Sequence, residues 1–252
     1  MSIQACAEIV HRGDPDRFRA VMAAPVALRA RLFPLYAMNV EVARAPWVTQ
    51  EAMIAEMRLQ WWRDVLGEIG NGGTPRAHEV TTPLAQILTP EMAQRLDGLV
   101  AARRWDIYRD PFADQGEFDA YIAATSGALY QVACGLAGAD LADTAADFGY
   151  AAGVANWFLA VPQLEALGRI PLVDGRPQAV QALARTALAR LHQAKAHPIP
   201  GQVKPVFWAG WQAQTLLRRA IADPKRVANG TLARSEARKR LSLLLKSSFG
   251  RV

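Results

Sequence analysis

The side chains most often recruited for chemistry are sparse and scattered in this chain. The four histidines, His11, His78, His192 and His197, stand far apart or near turns, and no HExxH or Cys/His ligand spacing occurs. Cys6 and Cys134 are the only cysteines, too few for a disulfide framework or a four-ligand zinc site, and they read as reduced thiols of a cytosolic or matrix-like compartment. No Gly-x-Ser-x-Gly elbow is present, and no dinucleotide fingerprint follows a strand. Gly70-Asn71-Gly72-Gly73 has the composition of a phosphate cradle, but no strand precedes it and no Lys-Ser/Thr pair follows, so it reads as a loop. Thr125-Ser126-Gly127 falls inside a helical stretch, where small residues serve close helix packing.

The elements that would position any site are helices. Asp14-Pro15 reads as an N-cap followed by proline at the first helical position, opening Asp16 to Ala23. Pro25 opens a second helix that runs to about Arg44. Its apolar residues lie nearly all round, as expected of a central, buried helix, and Pro34 should bend or split it. Gln50 to Ile69 carries Met53, Ile54, Met57, Trp61, Val65 and Leu66 at three-and-four spacing, an amphipathic helix. Further helices are expected over Pro83–Leu88, Pro90–Tyr108 after a Thr89 cap, Glu117–Leu136, Thr144–Leu167, Pro177–Ala196, Pro205–Ala222 and Thr231–Ser247. Ile170 to Val173 is the one extended candidate. No repeat or Ser/Pro-rich linker divides the chain, so the expectation is an all-α protein: one helical bundle over residues 1–252, closed by a basic helix from about 231.

Composition narrows the partners. The chain has 252 residues, 51% hydrophobic and 21% charged, enough apolar side chain to build a core. Lys and Arg exceed Asp and Glu by 29 to 23, a net charge of +6. The excess belongs to the C-terminal part, where Lys225, Arg226, Arg234, Arg238, Lys239, Arg240, Lys246 and Arg251 face the one acid Glu236. Leu232, Leu241 and Leu243-Leu244-Leu245 are set among these cations. A basic amphipathic helix of this kind lies on anionic lipid or docks to a partner; the alternative is a solvated helix closing the bundle. No nucleic-acid-reading motif accompanies the charge, and no nucleic-acid partner is expected. Met1 to Arg19 lacks the apolar region of a secretory signal, and no apolar run is long enough to span a bilayer, so the expected location is cytoplasmic or peripheral on the inner membrane.

Three stretches carry a resemblance. Phe33-Pro34-Leu35-Tyr36-Ala37-Met38 resembles the F-x-L-Y-A-F helix of the squalene/phytoene synthases. Leu59-Gln60-Trp61-Trp62-Arg63 resembles that family's L-x-W-W-R. Asn156-Trp157-Phe158-Leu159-Ala160 with Gly168-Arg169-Ile170-Pro171-Leu172 resembles its N-I-L-R-D … G-R-x-Y-L-P. The ordered set, with Phe118 to Gly127 between, is more specific than any one motif. The resemblance implies the isoprenoid-synthase bundle. It also implies a reaction in which Mg²⁺ ions, held by aspartates on two facing helices, carry an allylic diphosphate until it leaves.

Those aspartates are what this sequence lacks. By the Tyr36-Ala37 match the first pair falls at Ala43 and Arg44; by the Gly168-Arg169 match the second falls at Ala160 and Leu164. Methyl and isobutyl groups do not ligate Mg²⁺, which takes hard oxygen donors. Glu41 and Glu165 are the nearby acids, one on each helix, a reduced site at best. The expectation is therefore no catalytic residue, no metal and no cofactor, with the family's Mg²⁺ and prenyl transfer through an altered site as the alternative. Tyr36, Met38, Asn39, Glu41, Trp61, Arg63, Tyr121, Asn156, Trp157 and Arg169 are the candidate residues of a binding cavity, although aromatics such as Trp61, Trp62, Tyr121 and Trp157 at helical spacing more often fill a core than line one. Asn39-x-Glu41-x-x-Arg44 and the paired tryptophans are most similar to the branch of the family that assists assembly of respiratory complex I. That likeness implies a membrane-protein or lipid partner.

Overall fold

Prolines and short polar side chains set where the helices begin. In the computed structural model, which describes residues 3–49 and 51–252, Asp14 caps helix α2 (Pro15–Ala23) by accepting the Arg17 amide at 2.9 Å, and Pro15 fills the first turn. Thr89 caps α6 (Pro90–Ala102) through the Met92 amide, and Asp114 caps α7 (Gln115–Ile122) through the Glu117 amide. The remaining long helices are α1 (Ile3–Gly13), α3 (Val26–Arg44), α4 (Ala52–Gly70), α8 (Ala128–Leu136), α9 (Ala142–Ala166), α10 (Pro177–Ala196), α12 (Ala213–Ala222) and α14 (Glu236–Ser248), with single turns α5 (Thr81–Ala85), α11 (Lys204–Phe207) and α13 (Lys225–Ala228) between. No strand occurs among the described residues; Ile170 to Val173 is irregular chain.

Two helices form the centre. α3 is apolar on nearly every face, and its run from Leu32 to Val40 is buried throughout, with α1, α2, α5 and α8 packed around it. Pro34 does not split it: proline removes one amide donor, and close packing on all sides holds the helix continuous. α9 is the second axis, flanked by α8, α10 and α12. Gly149 and Gly153 lie one turn apart on α9. A methyl group on Gly149 would stand 2.8 Å from the Gly127 Cα, and one on Gly153 would stand 2.8 Å from the Ser126 Cβ, so the two glycines let α9 lie directly against residues 123–127.

Several expected spans are shorter or interrupted. Pro90–Tyr108 gives way to a 3₁₀ turn at Arg103–Asp106, and Pro205–Ala222 is broken at Trp208–Gly210. Glu117–Leu136 contains a π-turn, Ala123–Gly127, where Thr125 Oγ1 donates back to the Tyr121 carbonyl at 2.7 Å. The basic helix begins at Glu236, five residues later than expected, because Leu232 is buried in the main core and holds the preceding segment extended. Helix α1, which no motif announced, buries Cys6, Ile9 and Val10 against α3. The expected start of α4 at Gln50 lies outside the described residues.

Candidate functional site

The interruption after α6 and the π-turn shape a cavity of about 270 Å³ between α3, the π-turn and α9. Asn39 and Ala43 on α3 face Gly153, Asn156, Trp157, Ala160 and Leu164 on α9, and Thr125 and Ser126 close a third side. A π-turn widens the helix by one residue, which brings both hydroxyl-bearing residues to the wall.

Polar groups meet at one end. The Arg103 guanidinium lies 3.0 Å from Asp106 Oδ2 and 2.8 Å from the Tyr121 hydroxyl, and that hydroxyl donates to Asp106 Oδ1 at 2.9 Å. Burial alone would lower the Arg103 pKa, but Tyr121 and Asp106 outweigh it and raise it, so the guanidinium stays charged. Burial also raises the Tyr121 pKa, leaving a neutral phenol. Arg17 enters from α2, its Nε 3.4 Å from Asp14 Oδ2 and its guanidinium 5.0 Å from the Tyr36 ring centroid. Behind the wall Trp105 stacks on Phe112 at 4.0 Å, and Tyr121 and Trp157 meet edge-on at 5.3 Å.

Asp106 is the one carboxylate on this wall, and both its oxygens are engaged. No group of three or more His, Cys, Asp or Glu side chains able to hold a metal ion occurs among the described residues. Three of the four positions matched to family aspartates, Ala43, Ala160 and Leu164, do line the cavity. Arg44 does not; it is exposed, since the next residue on a helix points about 100° away. Trp47, one turn after Ala43, shares the wall instead, under the Arg169 guanidinium at 4.7 Å.

The ten candidate residues divide. Asn39, Tyr121, Asn156 and Trp157 come together on the cavity wall, with Trp157 Nε1 anchored on the Pro171 carbonyl at 2.8 Å. Tyr36 and Met38 are buried in α3 and do not line the cavity. Met38 lies about 100° round the helix from Asn39, and Tyr36, one turn before Asn39 on the same face, lies beneath the Arg17 guanidinium. Glu41 and Trp61 line a different groove, of about 480 Å³, with Met57, Arg58 and His78; Trp61 packs edge-on to Trp62 at 4.9 Å there. Arg63 ties α4 to α6 through Asp97 at 2.7 Å. Arg169 follows Gly168, whose φ of +75° ends α9, and folds back to donate to the carbonyls of Asp106 and Tyr108. Glu41 and Asn39 are two residues apart, and a two-residue step on a helix turns about 200°, which separates them. Arg17, Arg103 and Asp106 carry the polar end and were not singled out by sequence. Asp14-Pro15 marked α2, but nothing in the local pattern told that Arg17 turns inward.

A fully α-helical bundle with a cavity between two central helices is the isoprenoid-synthase architecture. The chain superposes on a solved dehydrosqualene synthase crystallised with a ligand at a TM-score of 0.77, covering 98% of this chain and 95% of that one, at 15% identity, a likeness of fold. The squalene/phytoene synthase family model matches residues 10–173, and the chain belongs to that family. It is also 29% identical over 166 residues to a Drosophila melanogaster protein described as an NADH dehydrogenase (ubiquinone) complex I assembly factor 6 homolog; the match takes in 62% of this chain and half of that protein's length.

Proposed function

We propose that this protein is a non-catalytic member of its family that acts by binding, in a role related to respiratory-complex assembly. The observation that carries the reading is the cavity wall. Where a prenyl transferase needs carboxylates to hold Mg²⁺, the facing side chains here are Ala43, Ala160 and Leu164. Asp106 is committed to Arg103 and Tyr121, and the donor set does not suit a divalent ion. The lining carries the guanidiniums of Arg17 and Arg103 against the one carboxylate Asp106, with Arg17 balanced by Asp14 behind it, a donor-rich wall that favours a polar or anionic head group over a metal ion. The alternative, a prenyl transferase with an altered metal site at Glu41, is disfavoured because Glu41 opens on the other groove.

The likeness to the fly assembly factor homolog supports a respiratory-complex membrane protein as partner. Two experiments test the reading. Purified protein incubated with Mg²⁺ and labelled farnesyl or geranylgeranyl diphosphate should release no product above background; turnover overturns the non-catalytic assignment. Deleting the gene should reduce fully assembled complex I on native gels, with restoration by the intact chain. Unchanged assembly removes the partner half of the reading.

A further inference from the structure

The C-terminal helix has two faces, and one is already occupied. Leu243 packs into a small cluster with Ala20, Trp208 and Trp211. On the same side Lys239 reaches Asp16 at 3.1 Å, Arg19 reaches Glu236 at 2.9 Å, and Trp208 Nε1 donates to the Arg251 carbonyl at 3.0 Å. These contacts fix α14 against α2 and residues 208–211, and they fix which side chains point outward.

The outward face joins two features that a solvated helix does not need together. Leu241, Leu244, Leu245 and Phe249 recur at three-and-four spacing as one apolar stripe, with Leu244 60% and Phe249 67% exposed. Leu241, Leu245 and Phe249 also line a groove of about 500 Å³ between α12 and α14, which carries Arg234, Arg238, Lys246 and Arg251. None of these four cations meets a carboxylate among the described residues. Their crowding reaches their neighbours: after burial, Lys246 and Arg218 further lower the Lys195 pKa, and Arg226, Arg234 and Arg238 do the same at Arg219. Positive charges without counter-ions are relieved by an anionic surface, and protruding leucines and a phenylalanine gain by leaving water at that same surface.

We infer that the outer face of α14 is a docking surface for an anionic phospholipid bilayer, with Leu241, Leu244, Leu245 and Phe249 entering the head-group region and Arg234, Arg238 and Arg251 meeting lipid phosphates. The apolar stripe selects lipid over nucleic acid, which uses cations but gains nothing from exposed leucines. No helix among the described residues is long and apolar enough to cross a membrane, so the contact is peripheral. The inference is independent of the cavity and of any prenyl chemistry.

The test is sedimentation of the full chain with vesicles of phosphatidylcholine alone and with about one-third phosphatidylglycerol. Binding should need the anionic lipid and fall with salt. R234E with R238E should weaken it at least 20-fold, on the order of five-fold for each lost charge. L244S with F249S should weaken it at least ten-fold at unchanged charge. R58E, the same charge reversal on exposed α4, should bind as the unaltered chain does. All altered residues are on the surface, and circular dichroism confirms the fold. Failure of the unaltered chain to bind anionic vesicles overturns the inference, as does binding that the α14 variants leave intact. Tight binding to a DNA or RNA oligonucleotide that depends on the arginines but not on Leu244 and Phe249 overturns it in favour of nucleic acid.

Discussion

The Tyr121 hydroxyl sits between the carboxylate of Asp106 and the guanidinium of Arg103, 2.9 Å from Asp106 Oδ1 and 2.8 Å from Arg103 Nη1. The phenol accepts from the cation and donates to the anion, so three groups from the 3₁₀ turn after α6 and from α7 form a closed set. This set takes the cavity's one carboxylate out of use for anything else. It also fixes the turn whose Asp106 and Tyr108 carbonyls hold Arg169 at the end of α9.

Asp106→Asn should therefore act on stability. The Asp106 side chain is 4% exposed and that of Arg103 21%, so neutralising the acid leaves a largely buried cation without its counter-charge. The expected loss is about 3 kcal/mol, and Tyr121→Phe should cost about 1.5–2 kcal/mol, both read from urea unfolding midpoints. The two losses should fall short of additive in the double variant, because the groups act as one network. Unchanged unfolding in Asp106→Asn would show that the triad does not cement the turn.

The glycines of α9 and α6 should respond in opposite directions. Gly149→Ala places a methyl 2.8 Å from the Gly127 backbone, which cannot rotate away, and should cost about 1–3 kcal/mol. Gly98 lies in the interior of α6, exposed, with nothing near its missing side chain. Gly98→Ala should raise stability by about 0.5–1 kcal/mol through helix propensity alone. Thermal unfolding of the two variants decides both.

The pattern of residues along the chain carried the bundle further than it carried the site. Asp14-Pro15, Thr89-Pro90 and the Gly168 stop are local signals, and α2, α6 and the end of α9 fall where they indicate. The π-turn at Ala123–Gly127 has no such signal, because it depends on how closely Gly149 and Gly153 let α9 approach. Ala43, Ala160 and Leu164 were legible as wall positions through motif register. Arg44 is set at the wall by the same register, but the phase of α3 at its last turn leaves it exposed, and Trp47 of the 3₁₀ turn Ala45–Trp47 takes the wall. Glu41 shares α3 with wall residues yet faces another groove by helical phase, and Trp61 stands on α4, none of whose residues lines the cavity. Arg17 and Arg103 are ordinary surface residue types, turned inward by tertiary contacts that no spacing encodes.

Both cysteines should be inert while the chain is folded. Burial, then Glu79, pushes the Cys6 thiol up to about 11, and burial pushes that of Cys134 up to about 12. The thiolate is the reacting species, so at pH 8 alkylation should run at least about a hundred-fold slower than in the denatured chain. Timed iodoacetamide labelling followed by mass spectrometry measures this. Rapid labelling of Cys6 would show that α1, whose Cys6 thiol faces the Glu79 carbonyl, opens readily.

Lys195 should contribute stability that grows as the pH rises from 8 to 10.5, against the loss from Cys6 and Cys134, whose raised thiols act in the opposite direction from about pH 9. Burial, followed by repulsion from Lys246 and Arg218, lowers the Lys195 pKa to about 8 from the model-peptide value of 10.5. Below pH 8 both folded and unfolded chains carry the proton, and the folded state bears the full penalty of a half-buried ammonium. Between pH 8 and 10.5 the unfolded chain keeps the proton that the folded one has released, so each step up in pH favours folding, until the penalty is gone. Lys246, lowered by burial, adds in the same direction. Lys195→Met keeps the apolar stem, gives up only the hydrogen bond to Gln214, and removes the charge. The variant should melt on the order of 2–4 °C higher at pH 7, an advantage over the unaltered chain that shrinks between pH 8 and 10. Equal slopes for the two proteins would mean that the Lys195 ammonium is better solvated than its place between α10 and α12 implies.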